Sequence, residues 1–308
     1  MTVIDVVVPS FGRPERLAAC LAGLRAQHRP AARVLVVLRE GDEPSEDAVR
    51  QCSDPSVVVV RTGEPGQVAA LRCGVAASTS ELVAFTDDDA VPRPDWIGRI
   101  LDHFEEATVG AVGGRDVIDG TVDVANADLQ VGRVGRWGKV QGNHHRGAGP
   151  ARDVDILKGV NMAFRRVALA VPRGLSGSGA EPHNDAAMSL HARRLGWRVV
   201  YDPQVVVDHF PAARAEGSIR GKVEASDVWT GAYNLTLALL STGAVTWWRR
   251  LAYGIVVGDR GIPGIVRTAG ALARRTDHQE MLFRLGPSMC GQIAAARCYH
   301  RGDCLVFD

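Results

Sequence analysis

Apolar runs of strand length alternate with helical patterns over the first 90 residues. The runs rich in β-branched residues predict strands at residues 3–8, 34–38, 57–60 and 82–85. The segments between them predict helices at residues 16–27, 45–52 and 67–78, with Ser45 as the N-cap of the second helix. This alternation predicts an α/β fold, a Rossmann-like and mostly parallel sheet flanked by helices. Ligands of such sheets bind beyond the carboxyl ends of the strands.

The pattern weakens in the middle of the chain and then returns. Glycine, basic and histidine residues over 112–150 predict loops or a hairpin. Residues 154–164 predict a strand and turn, and residues 185–195 predict a helix that Gly196 ends. Two further strands are predicted at 197–201 and 205–207, around a turn at Asp202 and Pro203.

The last 90 residues have a helical pattern, at 229–240, 245–257 and 265–275. Trp247, Trp248, Arg249 and Arg250 stand at the junction of two apolar segments. Two interpretations stay open for this extension. It is a helical cap or dimer contact on the main domain, or an interfacial element that docks on a membrane surface. We expect domains at 1–214 and 215–308.

Composition and charge narrow the class of protein. The chain is 46% hydrophobic and 23% charged, as a globular protein is, and its net charge of +1 predicts no nucleic-acid binding. The six cysteines form no CxxC pair, so we expect reduced thiols. Neither a signal peptide nor a membrane-spanning apolar run is visible. We expect a cytoplasmic protein, with peripheral contact at the inner face of the membrane as the alternative.

Three consecutive aspartates, Asp87, Asp88 and Asp89, follow the fourth predicted strand. Unpaired buried carboxylates repel one another and are costly to desolvate. Oxygen ligands suit Mg²⁺ or Mn²⁺, and such an ion often sits between carboxylates and nucleotide phosphates. The segment therefore predicts a divalent cation at a nucleotide site, with a solvated acidic turn as the alternative.

Several motifs in this order resemble the family 2 glycosyltransferases of the GT-A fold. They lie at residues 8–13 (VPSFGR), 85–89 (FTDDD), 158–164 (KGVNMAF), 184–185 (ND), 196–203 (GWRVVYDP) and 207–209 (VDH). The resemblance covers about residues 3–211. It implies a metal-dependent inverting transfer of a sugar from a nucleoside diphosphate sugar to an acceptor hydroxyl.

The same resemblance implies roles for the acidic motif. Asp89 is expected to ligate the metal ion, with His209 as the second ligand. Asp87 is expected mainly at the ribose or sugar and Asp88 at the donor sugar. Asp208 is a candidate to orient the imidazole of His209.

The catalytic base is expected from an acidic pair at the start of the helix before Gly196. Here the pair reads Asn184 and Asp185, so the second acid is present and the first is an amide. Asp185 is the candidate base, Glu181 is the fallback, and Asn184 is left to bind the acceptor. A helix-start aspartate favoured by the macrodipole is the structural alternative for Asp185.

The donor pocket is expected to contain residues from four loops, namely Pro9, Ser10, Phe11, Glu40, Asp42, Gln67, Lys158 and Asn161. Arg39 replaces one acid that usually reads a uracil, so UDP, GDP and dTDP donors all stay open. Arg61 is expected at the surface. His144 and His145 are expected in a mobile lid, with a metal pair as the weaker interpretation.

The acceptor is expected to be a glycan, lipid-linked or a small molecule. Two rival functions are retained. One is a nucleotidyltransferase, which the single glycine after the first strand disfavours. The other is a catalytically silent sugar-nucleotide-binding or scaffold protein, which Asn184 motivates.

Overall fold

The computed structural model describes residues 3–121, 129–177, 179, 181–211 and 223–307. Its strands are β1 Ile4–Ser10, β2 Arg33–Arg39, β3 Val57–Thr62, β4 Leu82–Phe85, β5 Ala90–Pro92, β6 Val109–Ile118, β7 Arg133–Val134, β8 Val140–Gln141, β9 Arg152–Asp153, β10 Met162–Arg165, β11 Pro172–Arg173, β12 Arg198–His209 and β13 Val306–Phe307. Its α-helices are α1 Pro14–Arg25, α2 Glu43–Cys52, α3 Gln67–Ala77, α4 Trp96–His103, α5 Asn184–Arg194, α6 Ala225–Ser241, α7 Trp247–Val256, α8 Ile265–Arg274 and α9 His278–His300.

The main sheet has the strand order β3-β2-β1-β4-β10-β6-β12-β5, with β9 paired to β12. The first four strands are parallel, as predicted. β10 runs antiparallel between β4 and β6, and β12 is parallel to β6. The predicted α/β fold with a mostly parallel sheet is confirmed.

Alternate valines of β1 build the two layers of the core. Val6 and Val8 pack with α1, whereas Val7 packs with α3 on the other face of the sheet. Gly74 lets α3 approach closely, because a Cβ there would lie 2.4 Å from the side chain of Val7. Burial on both faces explains why these strands read as continuous apolar runs.

The N-terminal end of α2 differs from the prediction. The helix begins at Glu43 rather than Ser45, and its N-cap is Asp42, whose side chain accepts the backbone N–H of Ser45. Ser45 lies inside the first turn and is fully buried. A carboxylate three residues before the expected N-cap offers the same capping chemistry as a hydroxyl.

The expectation of loops from residue 112 was wrong for the first part of that segment. β6 occupies this part, and its glycines admit close neighbours on both faces. A Cβ at Gly110 would lie 2.4 Å from Trp197, and one at Gly113 would lie 2.7 Å from the Asn161 carbonyl. Further along, β7 and β8 form the predicted hairpin.

The predicted turn at Asp202 and Pro203 was also wrong. β12 continues through it as one strand with a bulge, marked by a register shift between Asp202 and Val206 against β6. A bulge accommodates Pro203, which cannot donate to the ladder. Asp202 stabilises the bulge, because its carboxylate accepts the N–H of Gln204 at 2.8 Å and lies 2.8 Å from the ring of His103.

The helical C-terminal extension is confirmed, and it packs on the main body. Its residues Val228 and Leu235 share an apolar cluster with Ala186 and Leu190 of α5. Asn234, fully buried, also bonds to the backbone of residues 176 and 182. The predicted boundary at 214 lies outside the described residues. Across the described ranges, no helix combines the length and apolar character needed to span a bilayer. The six cysteines are free thiols.

The bulge in β12 requires glycine at position 114. A Cβ there would lie 1.8 Å from the carbonyl oxygen of Val205. We expect Gly114→Ala to lower the free energy of unfolding by about 3 kcal/mol, since the backbone of the bulge has to move. Urea denaturation measures this loss. Gly231→Ala in α6 is the control, because its Cβ meets no atom within 4 Å and alanine favours helix by about 1 kcal/mol. Equal stability of Gly114→Ala and wild type would contradict the account.

Candidate functional site

The three aspartates beyond β4 do not share one environment. Asp88 turns toward the loop after β1, where it accepts hydrogen bonds from Ser10 Oγ at 2.7 Å and Arg13 Nη1 at 3.0 Å. Burial raises the pKa of Asp88, and Arg13 and Ser10 partly offset this by favouring the charged form. Asp88 is therefore held by the protein itself.

Asp87 and Asp89 converge on His209 at the end of β12. One potential ligand atom from each residue lies within 4.8 Å of the others. His209 Nε2 is 3.3 Å from Asp89 Oδ1, because β12 pairs with β5 and places His209 opposite Ala90. Burial, and then the charge of Asp89, raise the pKa of Asp87 to about 7. Two carboxylates and an imidazole crowded in this way fit a divalent cation.

A buried carboxylate lies behind the imidazole. Asp116 of β6 is fully buried, and its Oδ2 lies 3.5 Å from His209 Nδ1 and accepts a hydrogen bond from Lys158 Nζ. Burial lowers the pKa of His209, but the carboxylates of Asp116 and Asp89 outweigh it and raise that pKa to about 9. Metal ligation needs the unprotonated ring nitrogen, so a cation would compete with this proton.

This arrangement corrects the expectation for Asp208. Its carboxylate forms a bidentate pair with Arg93, at 2.8 and 3.0 Å, instead of contacting His209. Successive side chains of a strand point to opposite faces, so a neighbour in sequence does not reach the same ring. Asp116 takes the place that was expected for Asp208.

The candidate base lies at the start of α5. Asp185 Oδ2 accepts the N–H of Gly159 at 3.0 Å, and Oδ1 accepts that of Ala186 at 2.7 Å. Its charge is the smallest of the contributions that raise the pKa of Asp87, so Asp185 lies within electrostatic range of the metal-ligand group. Asp185 is only partly buried.

Asn184 and Glu181 are engaged with the start of α3. Asn184 Nδ2 donates to Gln67 Oε1 at 3.3 Å and to the Glu181 carbonyl at 2.9 Å. Glu181 Oε2 accepts the N–H of Val68 at 3.1 Å, so the fallback base binds a helix N-terminus. Asp185 therefore stays the candidate base.

Asn161 has a different role from the one expected. It is fully buried, its Oδ1 accepts the Trp96 indole N–H at 2.8 Å, and its Nδ2 donates to the carbonyls of Arg115 and Val205. With both ends of the amide satisfied by α4, β6 and the bulge, Asn161 belongs to the scaffold and not to the floor of a donor pocket. Lys158, expected in the donor pocket, pairs with Asp116.

The loops expected around the nucleotide occupy one edge of the sheet. Phe11 is 37% exposed, and the Arg39 guanidinium lies 5.1 Å from its ring centroid. Pro9 and Ser10 are the last two residues of β1, and Glu40 directly follows β2. Asp42 is buried and also accepts the Gly12 N–H at 2.7 Å, so its carboxylate holds the loop instead of facing a base.

The packing tests the expectations for Arg61 and His144. Arg61 is exposed and pairs with Glu46, as expected for the surface. His144 is buried and bonds to the carbonyl of Ile156 at 3.0 Å, so it is part of the packed interior and not of an open lid or a metal pair. Burial lowers the pKa of His144 and keeps the ring neutral.

Sequence reasoning assigned no role to Arg13 and Asp116. Arg13 stands in the first motif, where a cation opposite three aspartates was a usable signal. Asp116 stands in the glycine-rich strand that was predicted as loop, where no motif marked it.

The fold is similar to that of known sugar-transferring enzymes. It aligns with the mannosyltransferase PcManGT from Pyrobaculum calidifontis, solved in complex with GDP-Man and Mn²⁺, at a TM-score of 0.57 and 19% identity. The alignment covers 97% of this chain and 87% of that one. At this identity the likeness concerns the fold alone, and it confirms the GT-A architecture.

A family model described as "Glycosyltransferase like family 2" matches residues 2–223. Because the match covers most of the chain, the chain belongs to this family. The curated glucosyl-dolichyl phosphate glucuronosyltransferase of Haloferax volcanii is 28% identical over 221 residues, 67% of this chain and 68% of that protein. Glycosyltransferase AglE of the same organism is 27% identical over 116 residues, 36% of this chain and 38% of that protein. The matched segment thus spans less than half of AglE.

A substitution at Asn161 distinguishes a structural role of this residue from a role in ligand binding. We expect Asn161→Ala to lower the free energy of unfolding by about 3 kcal/mol, because the buried Trp96 N–H loses its partner. Donor-nucleotide affinity of the folded fraction is expected to stay within about twofold. Chemical denaturation and nucleotide titration measure the two quantities. Gln204→Ala, an exposed amide on β12, is the control for stability. A variant with wild-type stability but weakened nucleotide binding would reverse the assignment.

Proposed function

We propose that this protein is a metal-dependent inverting glycosyltransferase that moves a sugar from a nucleoside diphosphate sugar to an acceptor hydroxyl. The observation that carries the proposal is the convergence of Asp87, Asp89 and His209 within electrostatic range of Asp185. A cation site and an accessible carboxylate base at one sheet edge are the two groups that this reaction needs.

Asp87, Asp89 and His209 would hold the divalent ion, Mg²⁺ or Mn²⁺. When bound, such an ion acts as a Lewis acid and neutralises charge on the departing diphosphate. Asp88 is not needed for this role, because Ser10 and Arg13 hold it. The solved neighbour with GDP-Man and Mn²⁺ supports Mn²⁺ and a GDP donor here, with UDP and dTDP as the other candidates.

Asp185 would accept the proton of the acceptor hydroxyl. The acceptor oxygen forms a bond to the anomeric carbon as the bond to the diphosphate oxygen breaks, and the bonding pair leaves with the nucleoside diphosphate. Attack from the face opposite the leaving group inverts the configuration. The hydrogen bonds from Gly159 and Ala186 fix the carboxylate in place before proton transfer.

The acceptor would be a glycan, lipid-linked or a small molecule. The Haloferax volcanii relative is a glucosyl-dolichyl phosphate glucuronosyltransferase, and its name supports a lipid-linked acceptor for this chain as well. We place the reaction in the cytoplasm, where sugar nucleotides and reduced thiols such as the six free cysteines are compatible.

A second candidate is a catalytically silent sugar-nucleotide-binding protein of the same fold. Asn184 favours it, because an amide stands where the family motif has its first acid. Both candidates bind the nucleotide with metal. Only the enzyme releases free nucleoside diphosphate from the donor.

Metal-dependent nucleotide binding is the first test. We expect GDP with Mn²⁺ to raise the melting temperature of the wild type, since a ligand at a hundredfold excess over its Kd adds about 2.7 kcal/mol of stability. UDP and dTDP are compared in the same panel. Asp89→Asn is expected to abolish the Mn²⁺-dependent part of the shift. Asp102→Asn, an exposed acid on α4, is the matched control. A shift that is equally large without metal, or unchanged in Asp89→Asn, would remove the metal site from the proposal.

The base is tested separately. We expect Asp185→Asn to lower turnover about 10²–10⁴-fold while the Kd for nucleotide and Mn²⁺ changes little. Release of nucleoside diphosphate from the donor measures turnover, and titration measures binding. Glu181→Gln compares the fallback acid and is expected to retain most of the activity. Unchanged turnover in Asp185→Asn would exclude it as base, and a wild type that binds without turnover would favour the silent protein.

Asp116 is expected to position His209. Asp116→Asn should weaken Mn²⁺ binding about 10–100-fold, as loss of a partner behind a ligating histidine usually does, while metal-free nucleotide binding is retained. Calorimetric titration with Mn²⁺ measures this. Asp208→Asn, on the residue adjacent to His209 but paired with Arg93, is the control and should keep wild-type affinity. Equal losses in both variants would point to general disruption instead of positioning.

A further inference from the structure

The helices α7, α8 and the start of α9 leave apolar side chains in solvent. Each is between 36% and 57% exposed, and we call this set the apolar face: Trp247, Trp248, Val256, Val257, Ile265, Val266, Leu272, Leu282 and Phe283. Single exposed apolar residues are ordinary on protein surfaces. A concentration of this kind marks an interaction site.

The end of α7 and the start of α8 belong to one surface. The Gly264 N–H donates to the Val257 carbonyl at 3.1 Å, and Gly258 pairs with Pro263 in a short antiparallel bridge. Val256 and Val257 are therefore brought next to the first residues of α8. The apolar face is continuous across this connection.

The pattern of α8 is opposite to that of an ordinary surface helix. Its exposed apolar positions are Ile265, Val266, Ala269, Leu272 and Ala273, whereas Thr268 and Ala271 are buried. A helix on the surface of a globular protein normally keeps its apolar stripe toward the core. The outward stripe of α8 is available to something outside the chain.

Positive charge surrounds this face. Between residues 247 and 284, which the apolar face spans, the chain has seven arginines and three acids, Asp259, Asp277 and Glu280. Asp259 lies 3.9 Å from the fully buried Arg250, and Glu280 pairs with Arg284. Arg260, Arg274 and Arg275 are exposed and pair with no carboxylate in the part of the chain that the structure describes. A partner that is both apolar and negatively charged therefore complements this surface.

Tryptophan stands at the margin of the face. Trp248 packs edge-on against Trp137 at 5.4 Å, and the Arg249 guanidinium lies 5.1 Å from the Trp248 ring. Indole rings beside arginine suit the boundary between lipid tails and headgroups, where one part is apolar and the other hydrated.

We propose that the apolar face docks on the surface of a membrane that contains anionic phospholipid. Apolar side chains would enter the headgroup boundary, and the exposed arginines would contact lipid phosphates. The face lies beyond residues 2–223, the segment that matches the family. The proposal does not depend on the catalytic proposal, and membrane docking can be measured without donor or metal.

The test is sedimentation of the full chain with vesicles. We expect binding to vesicles of phosphatidylcholine with 30% phosphatidylglycerol, about tenfold weaker binding to phosphatidylcholine alone, and loss of binding as salt is raised. The variant Ile265→Ser with Val266→Ser should lower the partition coefficient about tenfold. Its exposed sites leave the fold intact, which an unchanged melting temperature verifies. Arg274→Gln with Arg275→Gln should weaken binding to the anionic vesicles alone.

The matched control replaces two exposed apolar residues with serine outside the apolar face. Val167 and Leu195 are 70% and 53% exposed and lie outside the apolar face, so Val167→Ser with Leu195→Ser should keep wild-type vesicle binding. Failure of wild type to bind either vesicle, or equal loss in the control, would overturn the proposal. Analytical ultracentrifugation tests whether a second copy of the chain binds to the apolar face. A dimer that Ile265→Ser with Val266→Ser dissociates would also overturn it, because the apolar face would then be covered by protein.

Discussion

The site depends on how the protein accommodates three consecutive carboxylates at the end of a buried strand. Left together in the interior, they would repel one another strongly. The fold divides them. Asp88 is satisfied by Ser10 and Arg13, whereas Asp87 and Asp89 face His209. Arg13 also lies 3.8 Å from Asp89, and the carboxylates that converge on His209 form a group that a cation complements.

The need for His209 at that point explains the long last strand of the sheet. β12 has to pass from its pairing with the middle of β6 to the edge beside β5. The bulge at Pro203 allows this change of register, and Gly114 makes room for it on the neighbouring strand. Asn161 bonds to the Val205 carbonyl inside the bulge, so a residue distant from the cation supports the geometry of its ligand.

The sequence predicted the elements whose signal is local. The first four strands and the helices between them follow from continuous β-branched runs and helical spacing, and they lie where expected within a few residues. β6 was missed because its glycines serve close packing, which only the neighbouring Trp197 and Asn161 reveal. β12 was divided in two because proline inside a strand usually ends it. In both cases, the information that identifies the strand lies in its neighbours and not in the segment itself.

The difference between local signals and tertiary contacts also explains which site residues were predicted. The convergence of Asp89 and His209 was predictable, since each stands in a motif at a strand end. The roles of Asp116 and Asp208 depend on which face of a strand each side chain occupies, and no motif specified that. Asp42 and Asn161 carried the right chemistry for ligand contact, but backbone groups and an indole of the fold already use it. Satisfied hydrogen bonds of this kind become visible only when the tertiary contacts are known.

The packing of α5 has a consequence for exchanging parts between relatives. Asp185 stands on the first turn of this helix, whose residues Ala186, Ala187 and Leu190 form clusters with the C-terminal helices. The last third of the chain is therefore not a separable appendage. A chimera that takes this third from another family member would have to take the matching surface of α5 as well. The packing of the C-terminal helices and the placement of the Asp185 carboxylate would then be inherited together.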